Sequence, residues 1–357
     1  MCPVEQVEPA HAGDYRANGG EPRADREERP RRSRRTLVKT LVLLVVGMWI
    51  AFGIHGVMSY GHAYYKYRGF DPPKEAHGVS PGRLISVRFY STALRQRRSF
   101  DVYLPPGYAS EAAAGHRFPV LYLLHGSPGG ASLFPDAADL GVDVDRMLAR
   151  RQISPFLVAM PNGGDGSFRR DTEWANTPHG AYESFVLEVV QQMDSRFPTL
   201  ARRRSRAIGG LSEGAYGAMN VALRHLNTFG IAESWSGYFI QERAGPFRHA
   251  SLAAIAANSP ATYVGSLARR LRRYPFHAYI YMGRHDKTAP GAAGFALELR
   301  RAGGRVTFEF VRGSHDWELW RKMMPRSLEY ANRWFHSRTG WRRGGAAARA
   351  HPGQVTT

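Results

Sequence analysis

The apolar positions of this chain follow three different rules along its length. From Thr40 to Tyr60 the side chains are apolar on every helical face, and no formal charge interrupts them except a possible one on His55. At a rise of about 1.5 Å per residue, a helix over this run is long enough for a hydrocarbon core of roughly 30 Å. From Arg83 onward, short apolar runs alternate with stretches of helical periodicity. RLISVRFYS, RSFDVYLPP, FPVLYLLHG, FLVAMPNG, SRAIGGLS, GIAESWSGY, HAYIYMG and VTFEFVRG read as strands, each closed by glycine, proline or a polar turn. Helices are predicted between them, at roughly 137–151, 181–197, 214–226, 262–273, 290–303 and 317–337. In the second of these, Phe185, Val189 and Met193 recur four apart on one face, which suits packing on a sheet. Residues 1–35 and 341–357 follow neither rule, are poor in large apolar groups, and read as disordered tails.

Alternating strands and helices predict an α/β architecture with a largely parallel central sheet flanked by helices, preceded by one N-terminal transmembrane or signal helix. The domain organisation is therefore a tail (1–35), an apolar anchor or signal segment (36–60), a linker rich in Gly, Pro and Tyr (61–82), a catalytic-size domain (83–340) and a second tail (341–357). Arginines cluster just before the apolar run, and such positive flanks stay cytoplasmic, so the domain is expected on the far side of the membrane. Ser33-Arg34-Arg35-Thr36-Leu37-Val38-Lys39 also looks like a twin-arginine export motif. Gly61-His62-Ala63 is the best-placed group of small residues for cleavage after it. The spanning length favours a retained anchor, and export after cleavage is the alternative.

Composition narrows the classes. The 357 residues are 43% hydrophobic and 22% charged, enough apolar material for a sizeable core. The formal net charge is +19, yet the first 35 residues hold 8 arginines against 7 acids, so the excess belongs to the rest of the chain. No zinc-finger spacing, basic-zipper heptad or RNA-binding aromatic motif accompanies this charge, and no nucleic-acid partner is expected. The single cysteine, Cys2, excludes an intramolecular disulfide framework and a cysteine-based metal site.

The chemistry concentrates in GGLSEGAYG, residues 209–217. G-x-S-x-G between a strand (Arg206-Ala207-Ile208) and a helix is a nucleophile elbow: a sharp, strained turn exposes the hydroxyl of Ser212, and the glycines remove Cβ atoms that would collide with the neighbouring strand and helix. A serine hydroxyl is a poor nucleophile until a neighbour takes its proton. In such folds the acid follows the elbow and the histidine comes last. Asp286, just beyond HAYIYMG, and His315, just beyond VTFEFVRG, stand in that order and at the same carboxyl edge of the sheet. His285 reads as a loop residue, Asp316 as a less well-placed acid, and His179 as a capping or solvated residue. Two backbone donors are needed for the oxyanion of a tetrahedral intermediate. Glu213 N–H is one, and the loop YLLHGSPGGAS supplies the other from Ser127 or Gly126, with His125 shaping that loop.

LLHGSPGG, GGLSEGAYGAMN, GRHD and GSHDWELW, in this order, resemble the esterase family of α/β-hydrolases that includes S-formylglutathione hydrolases (esterase D), feruloyl esterases, enterochelin esterases and mycolyltransferases. The resemblance covers about residues 83–338. It implies an α/β-hydrolase fold, nucleophile Ser212, acid Asp286, base His315, and oxyanion donors at Ser127 and Glu213. The segment NGGDGSFRRDTEWANTPHGAYESFVLEVV is similar to the loop and helix that line the acyl or alcohol site in this family. Phe168, Asp171 and Trp174 are its expected contributors, with Trp317 from the last motif. A glutamate at position 213 and a long basic N-terminus with an anchor are departures from the family pattern. The expected activity is hydrolysis of acyl esters, with no cofactor and no metal, and with envelope lipids or glycans as substrates. Transfer of the acyl group to a sugar or lipid hydroxyl is the first alternative, and a non-catalytic binding protein the second.

Overall fold

A computed structural model of the chain describes residues 34–164 and 171–336. The chain divides into two compact units between Ser59 and Tyr60. In the first, the apolar run is helical from its start at Arg34, with no buried side chain, and is long and apolar enough to cross a membrane. This helix, α1 (Arg34–Tyr67), ends only when Arg68 and Gly69 both take positive φ, so residues 61–67 are helical rather than linker.

The rest of the second unit contains strands β1 (Arg83–Ser91), β2 (Gln96–Leu104), β3 (Val120–Leu124), β4 (Leu157–Pro161), β5 (Asn176–Thr177), β6 (Gly180–Ala181), β7 (Arg206–Gly210), β8 (Ile231–Trp235), β9 (His277–Gly283) and β10 (Arg305–Val311). Helices are α2 (Tyr108–Ala113), α3 (Leu133–Ala137), α4 (Leu140–Ala149), α5 (Tyr182–Arg196), α6 (Glu213–Arg224), α7 (Leu252–Ala257), α8 (Pro260–Tyr263), α9 (Ala268–Arg273), α10 (Ala289–Arg301) and α11 (Trp317–His336). Eight strands form one sheet in the order β1-β2-β4-β3-β7-β8-β9-β10. The pairs β1–β2 and β2–β4 are antiparallel and the others parallel. β5 and β6 make a separate small hairpin.

Both faces of the sheet are covered, which explains why its central strands β3, β4, β7 and β8 are buried at every position. Alternation still sorts the side chains: Val120, Tyr122 and Leu124 join one core with α5, α6 and α10, while Leu121 and Leu123 join the other with α4 and α11. Each predicted strand is present. Two predicted helices differ in their bounds. The one at 137–151 is α4, which starts only at Leu140 because Asp139 takes a positive φ of 54°, and the one at 262–273 is divided by a short 3-10 turn over Val264–Leu267.

The segment before β1 is also tied to the domain. Gly82 N–H donates to Asp145 Oδ1 (3.0 Å), Lys66 lies 3.9 Å from Asp136, and the Arg321 guanidinium sits over the Phe70 ring at 4.6 Å. Polar and aromatic contacts hold these residues where a loose linker was expected.

Candidate active site

β7 runs straight into the turn that carries Ser212. Its backbone lies at φ 55°, ψ −121°, a conformation costly for a residue with a Cβ, and the Ser212 amide is held by Trp235 O at 2.9 Å. The flanking glycines answer to close packing. A Cβ on Gly214 would stand 2.6 Å from His125 O, and one on Gly210 would stand 2.7 Å from the backbone of Gly214. Any larger residue at either place would push the elbow off the end of β3.

Asp286 and His315 follow the carboxyl ends of β9 and β10, and the three side chains meet. His315 Nδ1 lies 2.8 Å from Asp286 Oδ2, and His315 Nε2 lies 2.9 Å from Ser212 Oγ. The His315 side chain keeps 38% of its surface exposed, whereas that of Asp286 keeps 2%, so the imidazole is reachable and its partner is not. Burial pushes the Asp286 carboxyl up. Hydrogen bonds from His315, from Thr288 N–H (3.0 Å) and from Thr288 Oγ–H (2.8 Å) outweigh it, and the group ends below its ordinary value. It is an anion held in place, and Nδ1 is therefore the protonated nitrogen that faces it.

The competing residues are occupied elsewhere. Asp316 Oδ1 accepts the Leu319 amide at 2.9 Å and so caps the start of α11. His285 is exposed, and His179 is exposed in the β5–β6 turn. His125 is 3% exposed and neutral: Gly163 N–H donates to its Nε2 (3.1 Å), which leaves Nδ1 to donate to Gly126 O (3.0 Å), and burial drives its pKa down to about 4. It ties the loop after β3 to the loop after β4.

That tie sets the position of Gly126 and Ser127. An added Cβ on Gly126 would stand 3.2 Å from Ser212 Cβ, so this loop passes directly over the nucleophile. Trp174 supports it from below. Its indole N–H donates to His125 O (3.0 Å), its ring meets the imidazole edge-on at 4.9 Å, and it is fully buried. Trp174 is thus not a wall of the substrate site but a support for the loop, because no surface of it faces the cleft. Phe168, expected to line the same site, lies outside the described residues.

Asp171 belongs to a different group. Behind the elbow, Glu213 Oε1 accepts from Thr172 N (3.1 Å) and Thr172 Oγ1 (2.9 Å), Tyr238 O–H donates to Glu173, and Asp171 Oδ1 accepts Glu173 N (3.3 Å). Burial, then the charges of Asp171 and Glu173, raises the Glu213 carboxyl well above its ordinary value. Burial and Asp171 likewise push Glu173 up to about 7. Glu213, whose N–H is an expected oxyanion donor, thus has a carboxyl that burial and its carboxylate neighbours hold well above the ordinary range.

On the open side, Trp317 packs edge-on against Trp320 at 5.2 Å, and Trp320 packs edge-on against His315 at 5.2 Å. Arg68 spans the cleft: it donates to Pro128 O at 3.1 Å and sits over the Trp317 ring at 5.7 Å. Sequence reading passed over Arg68, which carries no motif. It also passed over Thr288, for which the spacing Asp286-Lys287-Thr288 was a usable signal, since a hydroxyl two residues on can turn back to a carboxylate.

Known proteins point the same way. A sequence profile of the family described as "Putative esterase" matches residues 91–331. An endo-1,4-beta-xylanase/feruloyl esterase of Xylanibacter ruminicola is 25% identical over 254 residues, which are 70% of this chain and 31% of that protein. The chain thus spans about a third of the length of that relative. An acetyl esterase of Caldicellulosiruptor saccharolyticus is 24% identical over 271 residues, covering 70% of this chain and 98% of that protein. A solved ferulic acid esterase superposes with a TM-score of 0.65 at 24% identity, over 71% of this chain and 99% of the other, and shows the shared α/β-hydrolase fold. With 241 of its residues inside the matched region and a serine, histidine and carboxylate joined at the carboxyl edge of the sheet, the chain belongs to this esterase family of serine hydrolases.

Proposed function

We propose that the protein is a membrane-anchored serine esterase that cleaves acyl esters through Ser212, His315 and Asp286. The hydrogen-bond chain from Asp286 through His315 to Ser212 Oγ carries this reading. Ser212 Oγ attacks the ester carbonyl carbon while its proton passes to His315 Nε2. The carboxylate of Asp286 stabilises the imidazolium that forms. The carbonyl oxygen becomes an oxyanion between the Glu213 N–H and that of Ser127 or Gly126, beside the positive end of α6. His315 then returns the proton to the leaving alcohol. Water deprotonated by the same nitrogen attacks the acyl-enzyme and regenerates Ser212.

The raised carboxyl of Glu213 is compatible with this sequence, because a group harder to ionise one residue from Ser212 opposes the oxyanion less. Retention of α1 as an anchor, with its arginine-flanked start in the cytoplasm, puts the cleft outside the membrane, where acyl esters of envelope lipids or glycans are the substrate class we favour.

The test is hydrolysis of p-nitrophenyl esters of increasing chain length by the full chain in detergent and by Ser212→Ala. Activity present in the first and absent in the second is expected, and the preferred chain length reports the acyl pocket. A folded wild-type protein that neither hydrolyses any ester nor forms a Ser212 adduct with a fluorophosphonate would overturn the reading.

A further inference from the structure

Across the sheet from Ser212, at the amino ends of β7 to β10, lies a hollow of about 710 Å³ that the chemistry above does not use. Arg202, Arg203, Arg204 and Arg305 line it together with His277 and Trp334, and no carboxylate is among its lining residues. Several arginines elsewhere in the domain are matched to carboxylates: Arg206 with Asp194, Arg224 with Glu183, Arg321 with Asp139. Among the described residues, none of the four arginines of the hollow has such a partner. This is where the run Arg202-Arg203-Arg204, which precedes the elbow in sequence, comes to rest.

The cluster is built rather than loose. Arg203 donates through Nε to Leu226 O (2.7 Å) and through Nη2 to Pro275 O (3.0 Å), and its guanidinium packs over the Tyr274 ring at 5.6 Å. His277 stacks on Trp334 with ring centroids 3.6 Å apart, and its Nδ1 is buried with no hydrogen-bond partner among the described residues. Burial, then the charges of Arg305 and Arg203, lowers the His277 imidazole to about pKa 4. Positive charges assembled this way repel one another, and salt screens only the exposed ones. An anion among them would reverse the sign of each interaction.

We propose that this hollow binds a phosphate-bearing ligand. Four guanidinium groups around one hollow, with no carboxylate in its lining, match the multiple oxygens and double charge of a phosphate better than the two oxygens of a carboxylate. The volume exceeds what a bare phosphate fills, so the ligand has a larger body, which rests against Ile231 and Trp334. It is not the ester being cleaved: the five residues of β7 separate the two sites, about 13–17 Å of strand. The phosphate comes either from a soluble phosphorylated compound or from a lipid headgroup, and the experiment separates these sources.

The full chain in neutral detergent is titrated calorimetrically, at constant ionic strength, with inorganic phosphate and with glucose 6-phosphate. Separately, micelles of the same detergent carrying phosphatidylcholine, with or without phosphatidylglycerol, are titrated into it, so that the apolar helix meets the same micelle in both cases. Saturable binding in at least one arm is expected: binding of the soluble compounds assigns a soluble ligand, and binding of the phosphatidylglycerol micelles alone assigns a headgroup. The double variant Arg204→Ala, Arg305→Ala should lose at least about tenfold in affinity, since each removed guanidinium takes a charge-assisted hydrogen bond with it. Both side chains are exposed, and an unchanged melting temperature without ligand checks the fold. As a readout in the wild-type protein, the His277 imidazole, followed by NMR, should titrate at higher pH with ligand bound than without. No saturable binding in any arm, or equal binding by the double variant with an unmoved His277, overturns the proposal.

Discussion

Two sets of buried carboxyls lie close to Ser212, and they are built in opposite ways. On one side Asp286 receives three hydrogen bonds, from His315 and from both the amide and the hydroxyl of Thr288, and stays an anion in spite of burial. On the other side Glu213 accepts from the amide and hydroxyl of Thr172 and Glu173 from the hydroxyl of Tyr238, and burial plus the charge of Asp171 raises both. Burial alone pushes all of these groups upward. What differs is the neighbourhood: donors and an imidazole around Asp286, further carboxyls around Glu213 and Glu173.

The largest effect should come from removing the charge of the donor-rich side. Asp286→Asn is expected to lower kcat by about a thousandfold, because an amide can hold neither the tautomer nor the charge of His315. Steady-state hydrolysis of a p-nitrophenyl ester checks it, and a loss under about tenfold would mean that Asp286 is not the orienting acid.

The next effect concerns stability against pH, where the two sides have opposite signs. The contribution of Asp286 is present above its ordinary value of 3.8 and disappears as the pH falls through its lowered folded value. Glu173 behaves the other way. Raised from 4.5 to about 7, it favours the fold below 4.5 and loses that contribution as the pH rises toward 7. Glu173→Gln should remove a decline on the order of 2–3 kcal/mol across that range, read from urea midpoints. A variant whose midpoints fall with pH as steeply as the wild type would locate the proton elsewhere.

A smaller change is expected from Thr288→Val, which deletes one donor to Asp286 and keeps the amide. The side-chain bond removed is one of three, so kcat should fall by about three- to tenfold, with the acid limb of stability moved toward higher pH. The smallest is Glu213→Gln. Since burial and neighbouring carboxyls already raise this group well above its ordinary value, an amide should leave kcat within about threefold of the wild type. A large loss would show that the charged form matters, and the comparison between the two sides would fail there.

What could be read from the chain and what could not divide along physical lines. The strands were legible because their apolar runs are short and closed by Gly or Pro, and the elbow because Gly210 and Gly214 are required by backbone approach and so leave a fixed spacing around Ser212. The order serine, aspartate, histidine follows from strand order, so Asp286 and His315 could be named before their side chains were seen to meet. Helix boundaries at Asp139 and Val264 were missed, as they depend on single backbone torsions that many residues can adopt.

The roles of Trp174, Asp316 and Arg68 needed the folded chain. Trp174 sits in a segment whose sequence suggests a pocket, but the packing of His125, Gly163 and Gly217 around it turns it inward. Asp316 neighbours the histidine in sequence yet points back to cap α11. Arg68 gains its place only because residues 60–70 pack against the loops after β3 and β10. The sequence by itself determined the elements, their order and the places of Ser212, Asp286 and His315 beyond strand ends, since these rest on local periodicity and on steric rules that act within a few residues. The raised carboxyls of Glu213 and Glu173, the burial of Trp174 and the gathering of arginines without a carboxylate opposite Ser212 were decided by tertiary structure alone, because charge and exposure depend on neighbours far apart in the chain.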